Sequence, residues 1–247
     1  HTAYRRQRQM CIRDSYHTGG TTGVPKLAPH THFNEVSMVA MVRANFSGLH
    51  QGDTFMCGLP LFHVNGTTAT GSLPLAIGAH ILLLSPKGYR DPGVIKNFSH
   101  IVEHYRGAFF SAVPTVLAMI LADLDKNADI SSLKYLLCGA APLSVQLFEN
   151  FEQSTGMKIV EGFGQTEGTC GSLVNPSGGM RKIGSVGLRL PYQQAKIFIL
   201  DDDGGFLREA QVNEIGTLCI SGPNVFPGYL DPKQNRNIWP QPGWLNT

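Results

Sequence analysis

No pair of cysteines in this chain stands at metal or redox spacing. The five cysteines, Cys11, Cys57, Cys138, Cys170 and Cys219, are scattered, with no CxxC and an odd count. That argues against a disulfide framework or a zinc site and points to a reducing, cytoplasmic compartment. Long apolar runs are also missing. The continuous stretch Ile81–Leu84 is strand-sized, so no membrane-spanning helix is expected. There is no signal-peptide pattern, internal repeat or low-complexity tract. A serine–histidine–acid triad is not apparent. A Walker loop is absent as well, since its closing Gly-Lys-Ser/Thr is replaced by Pro25-Lys26-Leu27.

A strong charge of one sign is lacking too. Of 20 basic and 18 acidic side chains, residues 1–15 hold four arginines and one aspartate, so the rest carries 16 against 17, a net of −1. The basic excess therefore sits in one short segment and implies no nucleic-acid partner. Within it, Met10-Cys-Ile-Arg-Asp-Ser15 resembles a translated sequencing adapter. Residues 1–15 are accordingly read as a non-native segment and set aside from fold reasoning.

What the chain does have is Tyr16–Lys26, reading YHTGGTTGVPK. Gly19, Gly20 and Gly23 let the backbone approach a ligand so that its N–H groups converge on an anion. Thr18, Thr21 and Thr22 add short hydroxyl donors, and Lys26 adds a compact positive charge. By chemistry this is a phosphate cradle.

The flanking sequence alternates strand and helix patterns. Thr31 caps a helix to about Ser47, where Gly48 stops it. His30 and His32 read as solvated or capping side chains; at i, i+2 on a helix they do not face one ligand, so a metal there is not expected. Asp53–Gly58 reads as a strand, Gly66–Ile77 as a helix weakened by Pro74, and Ala79–Leu84 as a strand buried on both faces. Asp91-Pro92 opens a helix whose apolar face is Val94, Ile95, Phe98, Ile101 and Val102. Strands at Gly107–Ala112, Leu133–Cys138 and Met157–Val160 alternate with helices from Pro114 and Ser144. This order predicts an α/β fold, a mostly parallel sheet flanked by helices, with ligands at the carboxyl ends of the strands. Cys138–Pro142 and Gly162–Glu167 both follow predicted strands, so they are expected on one edge.

Beyond residue 170 the long helices stop. Ala195–Leu200 and Thr217–Ser221 read as strands of a small β-rich subdomain over 171–247, after an α/β subdomain over 16–170. The triple aspartate Asp201-Asp-Asp203 beside two glycines is read as a solvated turn rather than a metal site.

The string from Thr18 to Lys26 resembles the phosphate-binding signature of the adenylate-forming superfamily, which includes acyl-CoA synthetases and peptide-synthetase adenylation domains. It departs at Gly19, where serine is usual, and at Leu27, where glycine is usual. Other segments follow in the family's order. Leu59-Pro-Leu-Phe-His63 resembles the border of the carboxylate pocket. Cys138-Gly-Ala-Ala-Pro-Leu143 resembles the adenine turn, and Glu161-Gly-Phe-Gly-Gln-Thr-Glu167 the acidic signature. Gly184–Gly187 and Gly216–Gly222 resemble the later glycine markers.

The resemblance implies ATP-dependent activation of a carboxylic acid, with ATP and Mg²⁺ required and CoA as acceptor. It implies that the cradle residues Thr18, Gly19, Gly20, Thr21, Thr22, Gly23 and Lys26 bind phosphates. Gly139, Ala140, Ala141 and Pro142, with Glu161, Gly162, Phe163 and Gly164, would border the adenine, and Thr166 would contact the α-phosphate. Glu167 would hold the metal. His63, Val64 and Gly168 would edge the acyl pocket, although His63 alone also reads as an interior histidine. Cys170 is expected to line that pocket and not to act as a nucleophile. With no evident aspartate for a substrate ammonium, an apolar, fatty-type acid is favoured. The alternatives are a peptide-synthetase domain, an acyl-AMP ligase or a non-catalytic nucleotide-binding remnant. In the family Trp244-Leu-Asn-Thr247 would be followed by Gly-Asp, so the chain is expected to be a fragment without its C-terminal domain and inactive or nearly so in isolation.

Overall fold

The computed structural model describes residues 12–18 and 26–247. The chain opens with an antiparallel hairpin, β1 (Ile12–Thr18) against β2 (Lys26–Thr31), in which Thr18 pairs with Lys26. Ile12–Ser15, set aside above, thus form part of β1. Directly after β2 comes helix α1 (His32–Asn45). Its start follows from sequence: the Thr31 hydroxyl accepts from the Asn34 N–H at 3.1 Å, and the Asn34 side chain accepts from the Thr31 N–H at 3.0 Å. This reciprocal cap satisfies two donors that a helix terminus leaves free.

Parallel strands then alternate with helices: β3 (Thr54–Cys57), α2 (Val64–Thr67), α3 (Leu73–Ile77), β4 (His80–Leu83), α4 (Pro92–Lys96), α5 (Phe98–Tyr105), β5 (Gly107–Ala112), α6 (Pro114–Ala122), β6 (Tyr135–Cys138), α7 (Val145–Thr155) and β7 (Lys158–Gly164). Between α2 and α3 the residues Thr68–Ser72 form a π-helical turn. Pro74 supplies the reason, for it has no N–H to close the regular ladder at that point. The side chains of Asp91 and Ser144 cap α4 and α7, and Gly156 ends α7 at φ 69°. The predicted helix from Asp91 is interrupted at Asn97, which ends α4 and begins α5.

The large sheet has the order β4-β3-β5-β6-β7-β8-β9, with β8 (Gly171–Val174) and β9 (Leu188–Arg189) added antiparallel. Strand side chains alternate between its faces, and two cores result. Met56, Phe110, Leu136 and Ile159 point to the side covered by α4–α7. Phe55, Phe109 and Val160 point to the side covered by α1, where they meet Met38, Met41, Val42 and Phe46. One expectation fails here. Strand β4 is not buried on both faces but lies at the sheet edge, with Leu83 62% exposed. A short apolar run cannot reveal whether a neighbouring strand covers it.

A separate four-stranded antiparallel sheet follows, in the order β11-β10-β12-β13, built from β10 (Gln194–Leu200), β11 (Phe206–Glu209), β12 (Thr217–Ser221) and β13 (Leu245–Asn246). The triple aspartate is the β10–β11 turn: Asp201 accepts from the backbone N–H of Asp203 at 3.0 Å and of Gly205 at 2.7 Å. Ala28 of β2 packs with Ile220, Phe226 and Leu245, which joins the first hairpin to this sheet. Among the described residues no helix is long and apolar enough to cross a membrane.

Candidate active site

A cavity of about 880 Å³ opens at the carboxyl edge of the parallel strands. The structure brings Thr18, Lys26, His63, Val64, Gly139, Ala140, Gly162, Phe163, Gly164, Thr166 and Glu167 to its wall. Ala141, Pro142, Glu161 and Gly168 do not line it. Gly19, Gly20, Thr21, Thr22 and Gly23 lie outside the described residues.

Backbone geometry explains how two chain segments meet here. Strand β7 runs four residues beyond the predicted Val160, through Glu161–Gly164. A Cβ on Gly164 would lie 1.8 Å from the Cys170 carbonyl oxygen, so only glycine admits the turn that follows. Ala140, just after β6, takes φ 67°, a left-handed conformation uncommon for a residue with a Cβ. Beside it, a Cβ on Gly139 would be 2.9 Å from the Gly162 carbonyl oxygen. The two expected nucleotide segments therefore touch through their main chains.

The turn 165–169 is held from several sides. The Thr169 N–H donates to the Thr166 carbonyl at 2.9 Å, and the Phe226 N–H donates to the Glu167 carbonyl at 2.9 Å. The Thr169 hydroxyl donates to the Asn224 carbonyl at 2.5 Å, and the Asn224 amide donates to the Gly168 carbonyl at 2.9 Å. Gly168 is thus packed into this support, close to Ser172 and Ile220, and faces away from the cavity. Glu161 also turns aside and accepts from the Gly184 N–H at 3.3 Å. Burial raises its carboxyl above the ordinary range, partly offset by that hydrogen bond.

Two residues that sequence reading missed complete the arrangement. Tyr229, in the loop after β12, donates its hydroxyl to Glu167 Oε1 at 2.5 Å, and Lys26 Nζ sits 4.9 Å from its ring centroid. Burial, with the Glu167 carboxylate adding to it, raises the Tyr229 hydroxyl pKa, so Tyr229 stays a donor. The Leu230 N–H donates to the Leu27 carbonyl at 3.0 Å, which pins the Tyr229 loop to β2. The second residue is His30. It is neither solvated nor capping but fully buried, with Nδ1 2.8 Å from Glu35 Oε1 and Nε2 donating to the Thr166 carbonyl at 2.7 Å. As residue 30 of a six-residue strand it pointed nowhere in particular; only the packing of β2 against the 165–169 turn gives it partners. The reading of His30 as a solvated or capping side chain has no access to that.

The other end of the cavity is apolar. Val42, Phe46, Ala69, Leu137 and Val174 line it, together with Cys170 and Gly171. Phe46 stands edge-on to Phe109 at 5.4 Å and to Tyr135 at 5.7 Å, so its ring is a fixed wall. The Cys170 thiol is pushed up to about 12, chiefly by burial, and is a poor nucleophile at neutral pH. Strand β5, Gly107–Ala112, stays out of the cavity wall and is buried throughout in the large sheet.

The chain resembles known proteins along most of its length. It is 40% identical over 236 residues to the marinolic acid–CoA ligase of Pseudoalteromonas sp. (strain SANK 73390), covering 94% of this chain and 36% of that protein. It is 33% identical over 233 residues to the long-chain-fatty-acid–CoA ligase of Bacillus subtilis (strain 168), covering 94% and 40%. The chain thus spans about two-fifths of the length of these relatives. The crystal structure of ATP-bound MatB from Rhodopseudomonas palustris matches with a TM-score of 0.83 at 26% identity, covering 96% of this chain and 44% of that one. A family model described as "AMP-binding enzyme" matches residues 16–230, and with that match the chain belongs to the AMP-binding enzyme family.

Proposed function

We propose that this chain carries the nucleotide and acid sites of an enzyme that condenses ATP with an apolar, fatty-type carboxylic acid to an acyl-adenylate, then passes the acyl group to CoA. The observation that supports this most is a single cavity with Lys26, Thr166 and Glu167 in its wall and an apolar recess formed by Val42, Phe46, Leu137 and Val174.

The acid's carboxylate attacks the α-phosphorus, and pyrophosphate leaves with the electron pair of the broken P–O bond. The nucleophile is already anionic, so no general base is required. The demand is for alignment and for cancellation of negative charge. Lys26, held over the Tyr229 ring, supplies a cation for the β- and γ-phosphates, while residues 19–23 would offer backbone N–H and hydroxyl donors. Thr166 presents its hydroxyl to the α-phosphate from a turn whose carbonyl groups are tied down. Phe163 and the backbone at Gly139–Ala140 would bracket the adenine.

Glu167 fits a magnesium ion by its chemistry. It is a carboxylate with Oε1 oriented by Tyr229, and no cluster of three or more metal-ligating side chains exists among the described residues. Mg²⁺ takes one or two carboxylates and completes its shell with phosphate and water, and when bound it neutralises phosphate charge. Asp14 and Glu167 are the acids that line the cavity among the described residues, and Val42, Phe46, Leu137 and Val174 give the recess an apolar wall, which favours fatty over amino acids. An acyl-AMP ligase, a peptide-synthetase domain and a non-catalytic nucleotide binder remain the alternatives.

The test is ATP–pyrophosphate exchange by the full-length protein with a panel of carboxylic acids, followed by CoA consumption. Exchange with fatty acids and consumption of CoA is the expected result. Exchange with amino acids alone would transfer the site to peptide-synthetase chemistry, and fatty-acid exchange without CoA consumption would leave an acyl-AMP ligase.

A further inference from the structure

His30 and Glu35 form a buried pair that the chemistry above does not use. His30 is 0% exposed and Glu35 4%. Both ring nitrogens of His30 face oxygen: Nε2 lies 2.7 Å from the Thr166 carbonyl and Nδ1 2.8 Å from Glu35 Oε1. A carbonyl oxygen can only accept, so Nε2 must carry a proton. The second contact then needs a proton as well, either on Nδ1 or on the Glu35 carboxyl. The pair therefore holds one proton more than a neutral imidazole beside a carboxylate.

The surroundings are specific. From β1, Arg13 Nη1 approaches Glu35 Oε2 at 3.3 Å, and the Tyr16 ring lies over His30 at a centroid distance of 4.7 Å. From the far side of the turn, the Cys170 thiol is held neutral by burial, and Glu35 adds a smaller push in the same direction.

We propose that His30 is a positioning residue: protonated jointly with Glu35, it fixes the Thr166 carbonyl and thereby the turn that presents Thr166 and Glu167 to the nucleotide. The proposal rests on the reading of the site given above. If the shared proton is lost, the imidazole keeps a single N–H. Either the Thr166 carbonyl or the Glu35 carboxylate then faces a lone pair, and the turn loses one of its anchors. A buried acceptor deprived of its donor bears the full cost of desolvation.

The experiment measures hydrogen exchange of residues 165–169, corrected for the intrinsic pH dependence, in the full-length protein and its variants. ATP affinity is measured on the same samples. His30→Leu is expected to raise exchange in this segment about tenfold at every pH and to weaken ATP binding about tenfold. His30→Gln, which keeps a donor for the Thr166 carbonyl, should restore part of the protection. Glu35→Gln is the decisive variant. Its amide can donate to Nδ1 of a neutral His30 that still carries Nε2–H, so protection should persist wherever along the pH profile the wild-type protein loses it. A merely structural role would not change the pH profile in this way.

Wild-type protection in the His30→Leu variant would overturn the proposal, and so would a Glu35→Gln profile that superposes on the wild type. If His30→Leu fails to fold, the Glu35→Gln profile decides alone. Absence of ATP binding in the wild type would reject the nucleotide reading while the exchange data still judge His30.

Discussion

In the seven-stranded sheet helices cover both faces and the inner strand β5 is buried at all six positions, whereas in the four-stranded sheet Leu207 of β11 is 59% exposed, and Val212 and Ile215 in the loop between β11 and β12 are 91% and 96% exposed. The first has two extended cores of aromatic and aliphatic side chains; the second has a small one, shared with Ala28 of the opening hairpin. The large sheet therefore sets where the backbone of the cavity lies. The small sheet acts as a clamp: its loop supplies Tyr229 to Glu167 and an N–H to the Leu27 carbonyl. Asn34 of α1 strengthens the join by donating to the Pro223 and Val225 carbonyls at 2.8 and 3.0 Å.

If this contrast is right, truncation should hurt the two sheets unequally. Phe110→Ala, at a fully buried position, is expected to cost about 3–5 kcal/mol in denaturant unfolding, while Leu207→Ala should stay within about 0.5 kcal/mol. Equal losses would abolish the distinction between frame and clamp.

In the full-length protein, Lys26→Ala removes the cation of the proposed phosphate cradle without touching either core of the large sheet. ATP–pyrophosphate exchange should fall about 100-fold with the melting temperature unchanged. A matching fall in stability would make Lys26 part of the frame instead.

Tyr229→Phe sharpens the comparison at the clamp itself. The ring under Lys26 remains and only the donor to Glu167 is lost, so Mg²⁺-dependent ATP binding should weaken about tenfold, read by calorimetric titration against magnesium. Unchanged magnesium dependence would show that the small sheet does not act on the site.

The smallest effect concerns the surface of the small sheet. Arg208 hydrogen-bonds both carboxylate oxygens of Glu214 at 2.6 and 2.8 Å. These bonds, with the Gln211 N–H, lower its carboxyl from the ordinary 4.5 to about 2. A lowered acid contributes stability above its unfolded value and loses it as pH falls through the folded one. The Glu214 contribution is thus present above about 4.5 and declines toward 2. Glu214→Gln should flatten the melting temperature over that window, and a carboxylate NMR titration with its midpoint at the ordinary value would contradict the pairing.

Much of the frame was legible because its signals are local. Thr31, Asp91 and Ser144 cap helices within three residues of themselves, Gly156 takes a left-handed turn, and Gly107–Ala112 is apolar enough to read as a strand. The motif residues Lys26, Phe163, Thr166 and Glu167 could likewise be picked out before any fold was known, and the structure brings them to one cavity wall. By itself, then, the sequence determined the alternation of elements and the kinds of chemical group at the site. Only the tertiary structure decided that β4 is an edge, that Gly168 faces away from the cavity, that His30 backs the 165–169 turn, and that Tyr229 lines the cavity. The hydrogen bonds of those two residues cross 136 and 62 positions of chain, to Thr166 and Glu167. Caps and side-chain periods are set by neighbours a few residues away, whereas such contacts exist only once strand order has brought distant segments together.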